Sequence, residues 1–254
     1  MNTNQQKALY EYLLWMGDTT LVLGHRISEW CGHGPILEED IALTNIALDL
    51  LGQARFYLTY AGEVEGKGRS EDDLAYLRDV MDYKNSLLVE QPNGDFAYTM
   101  IRQLLFTALS YHLQEALLSS SDERIRGIAE KAIKEVTYHL RHVSDWVIRL
   151  GDGTEESHNK AQEALDEVWM LVDDLFVMLP GDKLLVEEKI TPDLADIRKK
   201  WNDTIKGVLE EATLKVPSET YMMKGGREGK HSEHLGFILA ELQFLPRAYP
   251  DAKW

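Results

Sequence analysis

Two lines of polar side chains run along otherwise apolar segments and are the first candidates for chemistry. Asn45, Asp49 and Gln53 recur every four residues, so they share one side of the segment if it is helical. A second line, later in the chain, consists of Glu135, His139, His142 and Trp146. Such stripes face water in an ordinary surface helix, or they face the interior of a helical bundle, where metal ligands are built. Both interpretations stay open at this point.

A di-iron carboxylate bundle would need a specific constellation of ligands. Two helices each supply Glu-x-x-His, and two further helices each supply a Glu. Of the eight histidines, only His158 and His231 have an acid three residues earlier, namely Glu155 and Glu228. Both pairs fall at predicted loop or helix-start positions. Neither pair is therefore placed to hold irons at the centre of a bundle.

The two central candidates also depart from this pattern. Asp49 is followed three residues later by Gly52, and Glu135 is followed by Tyr138. His139 lies four residues after Glu135, so these two side chains could still converge on one cation. The alternative is a structural histidine satisfied by its neighbours. The sequence therefore predicts no metal site and no catalytic residue in this chain.

A glycine-rich basic loop between residues 224 and 234 is the remaining candidate site. Its cationic or titratable residues are Lys224, Arg227, Lys230, His231 and His234. A basic loop that leads into a helix N-terminus suits an anion such as a phosphate. We predict a contact to a partner subunit or to the phosphates of a thioester cofactor, and the alternative is a solvated surface loop.

The composition of the chain argues against several classes of protein, including nucleic-acid-binding and membrane proteins. The chain has 254 residues, a net charge of −16 and one cysteine, Cys31. Excess negative charge argues against binding to nucleic acid, because phosphates would be repelled. A single cysteine excludes an intrachain disulfide and a thiolate metal site. No signal peptide and no apolar run of membrane-spanning length is evident, so we expect a cytoplasmic protein.

Helices must position these residues, since the sequence lacks the alternation and tight turns of strands. Caps and breaks predict helices over residues 5–30, 39–61, 71 onward, 95–118, 121–150, 154–180, 192–214 and 232–245. Several have wide apolar stripes at spacings of three and four. This pattern predicts an all-α protein with a four-helix bundle core, additional C-terminal helices and one domain over 1–254.

Several long segments resemble the structural-subunit family of bacterial phenylacetyl-CoA monooxygenase, the ring-1,2-epoxidase. They are EWCGHGP (29–35), NIALDLLGQAR (45–55), LLVEQPNGDFA (87–97), KAIKEVTYHLRH (131–142) and KHSEHLG (230–236). The resemblance runs in the same order over nearly the whole chain. It implies a ferritin-like fold and a subunit that has lost its iron ligands.

The resemblance also implies partners and cofactors. A homologous catalytic subunit would hold the two irons, a reductase subunit would supply electrons from NADPH, and the complex would use O2 to epoxidise phenylacetyl-CoA. On this basis Asp49, Glu135, Tyr138 and His139 are expected to be relics of ligand positions, now in a buried polar network. Whether the isolated chain forms a homodimer stays open.

Two other hypotheses remain beside this one. The chain could be an independent ferritin-like oxidase with an irregular metal site built from Glu135, His139 and Asp49, together with Glu29 or Glu90. It could also be a helical binding module unrelated to oxygenases. Metal content separates the first of these from a structural subunit, and co-purification of a second helical chain separates the other.

Overall fold

The structure, a computed structural model, describes residues 2–218, 221–250 and 252. These residues contain helices and no strand, so the all-α prediction is confirmed. The α-helices are α1 Thr3–Ser28, α2 Leu37–Glu65, α3 Glu71–Tyr76, α4 Phe96–Leu117, α5 Glu123–Gly151, α6 Glu155–Val168, α7 Asp182–Glu187, α8 Leu194–Glu211, α9 Glu233–Leu242 and α10 Phe244–Ala248. No helix in the described ranges is long and apolar enough to cross a membrane.

Local capping chemistry explains most of the helix starts. The side chains of Ser70, Asp95, Asp122 and Thr154 each accept a hydrogen bond from a backbone N–H in the first turn of α3, α4, α5 and α6. These bonds satisfy donors that have no partner within the helix. At the other end of α2, Gly66 adopts a positive φ of 71°, which glycine does without steric cost. The helix starts predicted at residues 71, 95, 121 and 154 are thereby confirmed to within two residues.

Helix α2 continues four residues past its predicted end, to Glu65, and three other predicted helices differ in their course or cap. The helix expected to run from 154 to 180 changes at Val168 into a 3-10 segment, Trp169–Phe176. The helix predicted over 192–214 begins at Leu194 and is capped by Asp193, whose carboxylate accepts a hydrogen bond from Ala195 N. The last predicted helix is divided at Gln243 into α9 and α10. Helix ends commonly shift by a residue or two, because several nearby residues compete as caps.

The described chain groups into two compact units. Unit 1 contains residues 1–92, 179–185 and 225–254, and unit 2 contains residues 93–178 and 186–224. The prediction of one domain over 1–254 stays a prediction.

Unit 1 is organised by α1 and α2, which pack as an antiparallel pair. Gly17 of α1 lies against Leu58 of α2, whereas Gly24, one heptad later, lies against Leu51 and Ala47. The contacts therefore run in opposite directions along the two helices. Most of α1 is buried, including its whole central stretch from Tyr12 to Gly24. Removing this apolar surface from water is the main stabilising contribution in the unit.

In unit 2, α4 packs against α5, α6 and α8. The first residue of α4, Phe96, makes an edge-to-face contact with Trp146 near the end of α5, so these two helices are also antiparallel. Trp201 of α8 is almost fully buried, and its indole N–H donates to the carbonyl of Leu105 at 2.8 Å. This bond fixes α8 against α4 while satisfying a buried polar group.

Candidate functional site

The polar line on α2 passes from the surface into the interior. Asn45 is exposed, Asp49 is half-buried, and Gln53 is buried. A step of four residues rotates about 40° around a helix, so a line of such steps drifts from one side of the helix to another. The line is therefore neither a fully solvated stripe nor a fully buried one. Asp49 lies at the border, next to the buried amide of Gln53.

The polar line on α5 also contains both buried and partly exposed residues. His139 is buried, Glu135 is half-buried, and the side chain of Tyr138 is 43% exposed. The ring of Tyr138 stacks on His142 with centroids 5.8 Å apart, and it meets His139 edge-on at 6.2 Å. Because Tyr138 lies about 100° around the helix from His139, it does not share the burial expected of a network member.

The predicted network that would join Asp49 of α2 to Glu135 and His139 of α5 stays a prediction. Within the part of the chain that the structure describes, no group of three or more His, Cys, Asp or Glu side chains is arranged to hold a metal ion. A pair of irons needs several carboxylates together with imidazoles. The described donor groups do not fit such a centre.

From Gly225 onward the glycine-rich loop belongs to unit 1, where it forms a compact turn. A 3-10 turn, Gly226–Glu228, is bounded by Gly225 and Gly229, which both have positive φ. A Cβ on Gly229 would lie 2.3 Å from the carbonyl oxygen of Met81, so this close approach of backbone to backbone requires glycine. The loop is therefore buried at Gly225, Gly226, Arg227 and Gly229, whereas Lys224, Glu228 and Lys230 are exposed.

Arg227 occupies the centre of this loop and is buried. Its guanidinium donates to both carboxylate oxygens of Asp182, at 2.5 and 3.1 Å, and it lies 4.5 Å from the ring centroid of Trp15. The arginine side chain is only 1% exposed. This corrects the expected position of Arg227, because its charge faces an internal carboxylate and is shielded from an external anion.

The two lysines of the loop also have acidic neighbours. Lys230 Nζ donates to Glu228 at 2.7 Å in an exposed pair. In unit 2, Lys224 Nζ lies 3.0 Å from Asp173, which also accepts from Arg198. Burial alone would raise the pKa of Asp173, but the hydrogen bonds from Lys224 and Arg198 outweigh it and lower this pKa. The predicted anion or partner contact through these lysines stays a prediction.

His231 and Glu90 form a second buried ion-pair geometry. Nδ1 of His231 lies 2.9 Å from Glu90 Oε2, and Nε2 lies 3.0 Å from the carbonyl oxygen of Tyr83. The Glu90 carboxylate also accepts from Asn85 Nδ2 at 3.0 Å and from the backbone N–H of Ser232 at 2.6 Å. Three donors thus satisfy one fully buried carboxylate. His234, near the start of α9, is half-buried.

Sequence reasoning missed a third pair, Arg78 and Asp18. The guanidinium of Arg78 donates to both oxygens of Asp18, which is fully buried on α1 and also accepts from Lys84 N at 2.8 Å. Burial opposes the charge on Arg78, but attraction to Asp18 prevails and raises the pKa of the guanidinium. The available signal was one acid inside the long apolar stretch of α1.

Beside this pair, burial raises the pKa of Tyr83, whose hydroxyl donates to the carbonyl of Ala75. Gln243 donates to the Tyr83 hydroxyl at 3.2 Å and to the Arg78 carbonyl at 2.9 Å. These hydrogen bonds connect Gln243, between α9 and α10, to the segment that follows α3. These groups satisfy one another's hydrogen bonds. The arrangement is therefore suited to stabilising the local structure.

Two open grooves of about 540 Å³ each flank α9 and α10 in unit 1. One is lined by Val80, Leu239 and Phe244, and the other by Leu77, Leu242 and Leu245, among others. Their linings are largely apolar with acidic edges. They offer packing surface and little that could act as a paired acid and base.

Comparison with known proteins agrees with this architecture. The family model described as phenylacetic acid catabolic protein matches residues 1–254. One of the subunits of 1,2-phenylacetyl-CoA epoxidase from Escherichia coli (strain K12) is 47% identical over 246 residues, which is 97% of this chain and 99% of that protein. The ferritin-like character predicted from the sequence is consistent with the family. The chain therefore belongs to the phenylacetic acid catabolic protein family.

Proposed function

We propose that this chain is a non-catalytic structural subunit of a multicomponent di-iron monooxygenase that epoxidises the ring of phenylacetyl-CoA. A homologous helical subunit would hold the irons, and a reductase subunit would deliver electrons from NADPH for reaction with O2. The supporting comparison is the relative whose name states that it is a subunit of such an epoxidase, because it matches this chain almost end to end. The step belongs to aerobic phenylacetate degradation.

The observation that carries the non-catalytic role is the donor chemistry on the long helices. Asp49 has Gly52 in place of an imidazole three residues on, and Glu135 has Tyr138, which points to the surface. Glycine and an exposed phenol cannot replace the two histidines that a pair of irons would require. We therefore assign no oxygen chemistry to this chain and leave the oxidation to the iron-bearing partner.

The buried ion pairs of unit 1 support a structural role. Arg78, Arg227 and His231 each face a carboxylate of the same unit, so their interactions restrain segments that are distant in the sequence. Replacing one member of such a pair would leave the other charge buried without a partner, which destabilises the fold. An internally closed network of this kind maintains the shape of a surface against which a partner can dock.

Metal analysis of the purified chain tests the proposal. The chain is prepared alone and in complex with the co-expressed catalytic homologue, and iron is quantified by mass spectrometry. We expect the iron to follow the catalytic homologue and the isolated chain to contain far less than one iron. About two irons per isolated chain, as in di-iron bundles, would contradict the proposal. That result would favour an independent oxidase using Glu135, His139 and Asp49.

A substitution separates structural from catalytic use of Glu135. In the Glu135→Gln variant we expect an intact complex with turnover close to wild type. Asp145→Asn, on an exposed position of the same helix, is the matched control. Loss of turnover in an intact Glu135→Gln complex, with normal turnover in the control, would assign chemistry to this side chain. Failure to isolate any second helical chain with wild type would favour an unrelated binding module.

A further inference from the structure

Asn93 and Gly94 lie just before helix α4 in unit 2. Gly94 follows Asn93, whereas every other asparagine of the chain is followed by a residue that has a side chain. The backbone nitrogen of the following residue can attack the side-chain amide of an asparagine. A glycine nitrogen is the least hindered for this attack, because glycine has no Cβ. Gly94 is exposed, so water and hydroxide reach the bond.

The reaction is deamidation, and its atoms balance with water alone. Gly94 N loses its proton to hydroxide and forms a bond to Cγ of Asn93. The bond from Cγ to Nδ2 then breaks, and this nitrogen takes up a proton and leaves as ammonia. Water opens the resulting cyclic imide at either carbonyl. One opening gives aspartate, and the other gives isoaspartate, in which the backbone runs through Cγ.

The fold requires glycine at position 94. Gly94 has a positive φ of 58°, a backbone conformation that residues with a side chain rarely adopt. A Cβ built on it would lie 2.9 Å from Cγ of Tyr98 in the first turn of α4. The chain therefore keeps the reactive pair of residues, because a larger residue at 94 would strain the turn.

Two hydrogen bonds hold Asn93 in place. Nη2 of Arg102 donates to Oδ1 of the side-chain amide at 2.6 Å, and the Arg102 side chain is fully buried. The hydroxyl of Thr99 donates to the backbone carbonyl of Asn93 at 2.7 Å. Closing the imide ring changes torsion angles on both sides of the Asn93 Cα, so both oxygens would move away from their donors. The bond from Arg102 is charge-assisted and is the more costly to break.

We propose that Asn93–Gly94 is a deamidation site that the native fold holds unreactive through Arg102 and Thr99. Modification then proceeds from molecules in which the start of α4 has opened. The rate in the folded chain is set by the population of that open state.

The product matters because α4 begins at this turn. The side chain of Asp95 caps the helix by accepting from Tyr98 N at 2.9 Å, and its carbonyl accepts from Thr99 N at 3.0 Å. Isoaspartate at 93 adds one backbone carbon ahead of Gly94 and displaces Asp95 from the first turn, which removes the cap. Aspartate leaves the backbone unchanged and still presents an oxygen to Arg102. The protection therefore preserves the start of α4.

Peptide mapping by mass spectrometry measures the rate at Asn93 in the intact full-length chain during incubation at mildly alkaline pH. The same chain unfolded in guanidinium chloride gives the rate without protection. We expect the folded chain to react at least about tenfold more slowly, since modification needs local opening. Equal rates in the folded and unfolded chain would overturn the proposal.

Thr99→Val tests one of the two hydrogen bonds. Loss of the hydroxyl frees the Asn93 carbonyl and should speed modification of the folded chain about fivefold, the factor that corresponds to one hydrogen bond. Thr137→Val is the matched control on α5, where the hydroxyl donates to the Ile133 carbonyl at 2.6 Å. It should react within about twofold of wild type, because distant sites act independently. A wild-type rate in Thr99→Val would contradict the role given to Thr99.

Arg102→Lys tests the other hydrogen bond while keeping a positive charge. A compact ammonium does not reproduce the planar guanidinium, so the folded variant should react at least about tenfold faster than wild type. Circular dichroism checks folding, and Thr99→Val decides the matter if this variant does not fold. A slower reaction in folded Arg102→Lys would mean that the guanidinium polarises the amide and promotes attack, which is the opposite of the proposal.

Discussion

Replacing Arg227 with methionine should strongly destabilise the chain, although the glycine-rich sequence around Arg227 suggests a flexible surface loop. The substitution leaves Asp182 buried with its charge uncompensated, and the backbone N–H of Leu179 is then a remaining donor to it at 2.8 Å. Breaking a buried ion pair from one side typically costs about 3–5 kcal/mol. The lost contact with Trp15 acts in the same direction.

Urea unfolding followed by far-UV circular dichroism measures this effect. Lys230→Met is the matched control from the same loop, because its pair with Glu228 is 70% and 51% exposed. Such an exposed pair contributes little to stability, because solvent screens its attraction. The double variant Arg227→Met/Asp182→Leu removes both charges, so it should recover much of the loss seen in the single variant.

Two results would refute this reasoning. One is an Arg227→Met variant whose free energy of unfolding lies within about 1 kcal/mol of wild type, since a buried unpaired carboxylate must cost more. The other is a double variant less stable than the single one. That outcome would mean that packing of the arginine stem, and not the charge on Asp182, determines the cost.

Three further predictions concern other parts of the chain. Hydrogen bonds from Arg69 lower the pKa of Glu65 to about 2 from 4.5, so this pair stabilises the fold above about pH 4.5. That contribution, about 1 kcal/mol for a partly exposed pair, should disappear as the pH falls towards 2, and acid titrations should show a smaller loss in Glu65→Gln than in wild type. Gly62→Ala places a methyl carbon 2.2 Å from a backbone oxygen and should cost about 1–3 kcal/mol in thermal unfolding, whereas Gly207→Ala meets no atom within 4 Å and should gain up to about 1 kcal/mol. Trp201→Phe deletes a buried N–H donor and should cost about 1–3 kcal/mol in urea unfolding; an unchanged midpoint would contradict the role of that bond in fixing α8.

Helix starts were predictable because their causes are local. Ser70, Asp95, Asp122 and Thr154 bond to backbone groups within the next few residues, so a short window of sequence contains both donor and acceptor. The division of the helix after Val168 was not predictable from such a window. The residues over 169–176 have a helical pattern, and the change to a tighter 3-10 turn depends on surroundings that the pattern does not encode.

The candidate site shows the same distinction between local and distant causes. The missing imidazole three residues after Asp49, and after Glu135, is visible in the sequence because metal-ligand spacing on a helix is local. The burial of Tyr138 was misjudged, since the residues on either side of it belong to different faces of α5. Periodicity indicates which residues share a face, but it does not say how far around the helix the core extends.

By itself the sequence determined an all-α chain, its helix caps and the absence of Glu-x-x-His from its long helices, because each depends on residues within a few positions of one another. Only the tertiary structure decided which charges are buried and which acid meets which base. Glu90 and His231 are 141 residues apart, and Arg78 is 60 residues from Asp18. Composition marked the loop around Arg227 as basic and flexible, but folding brought Asp182 to it, and burial then made the pair structural.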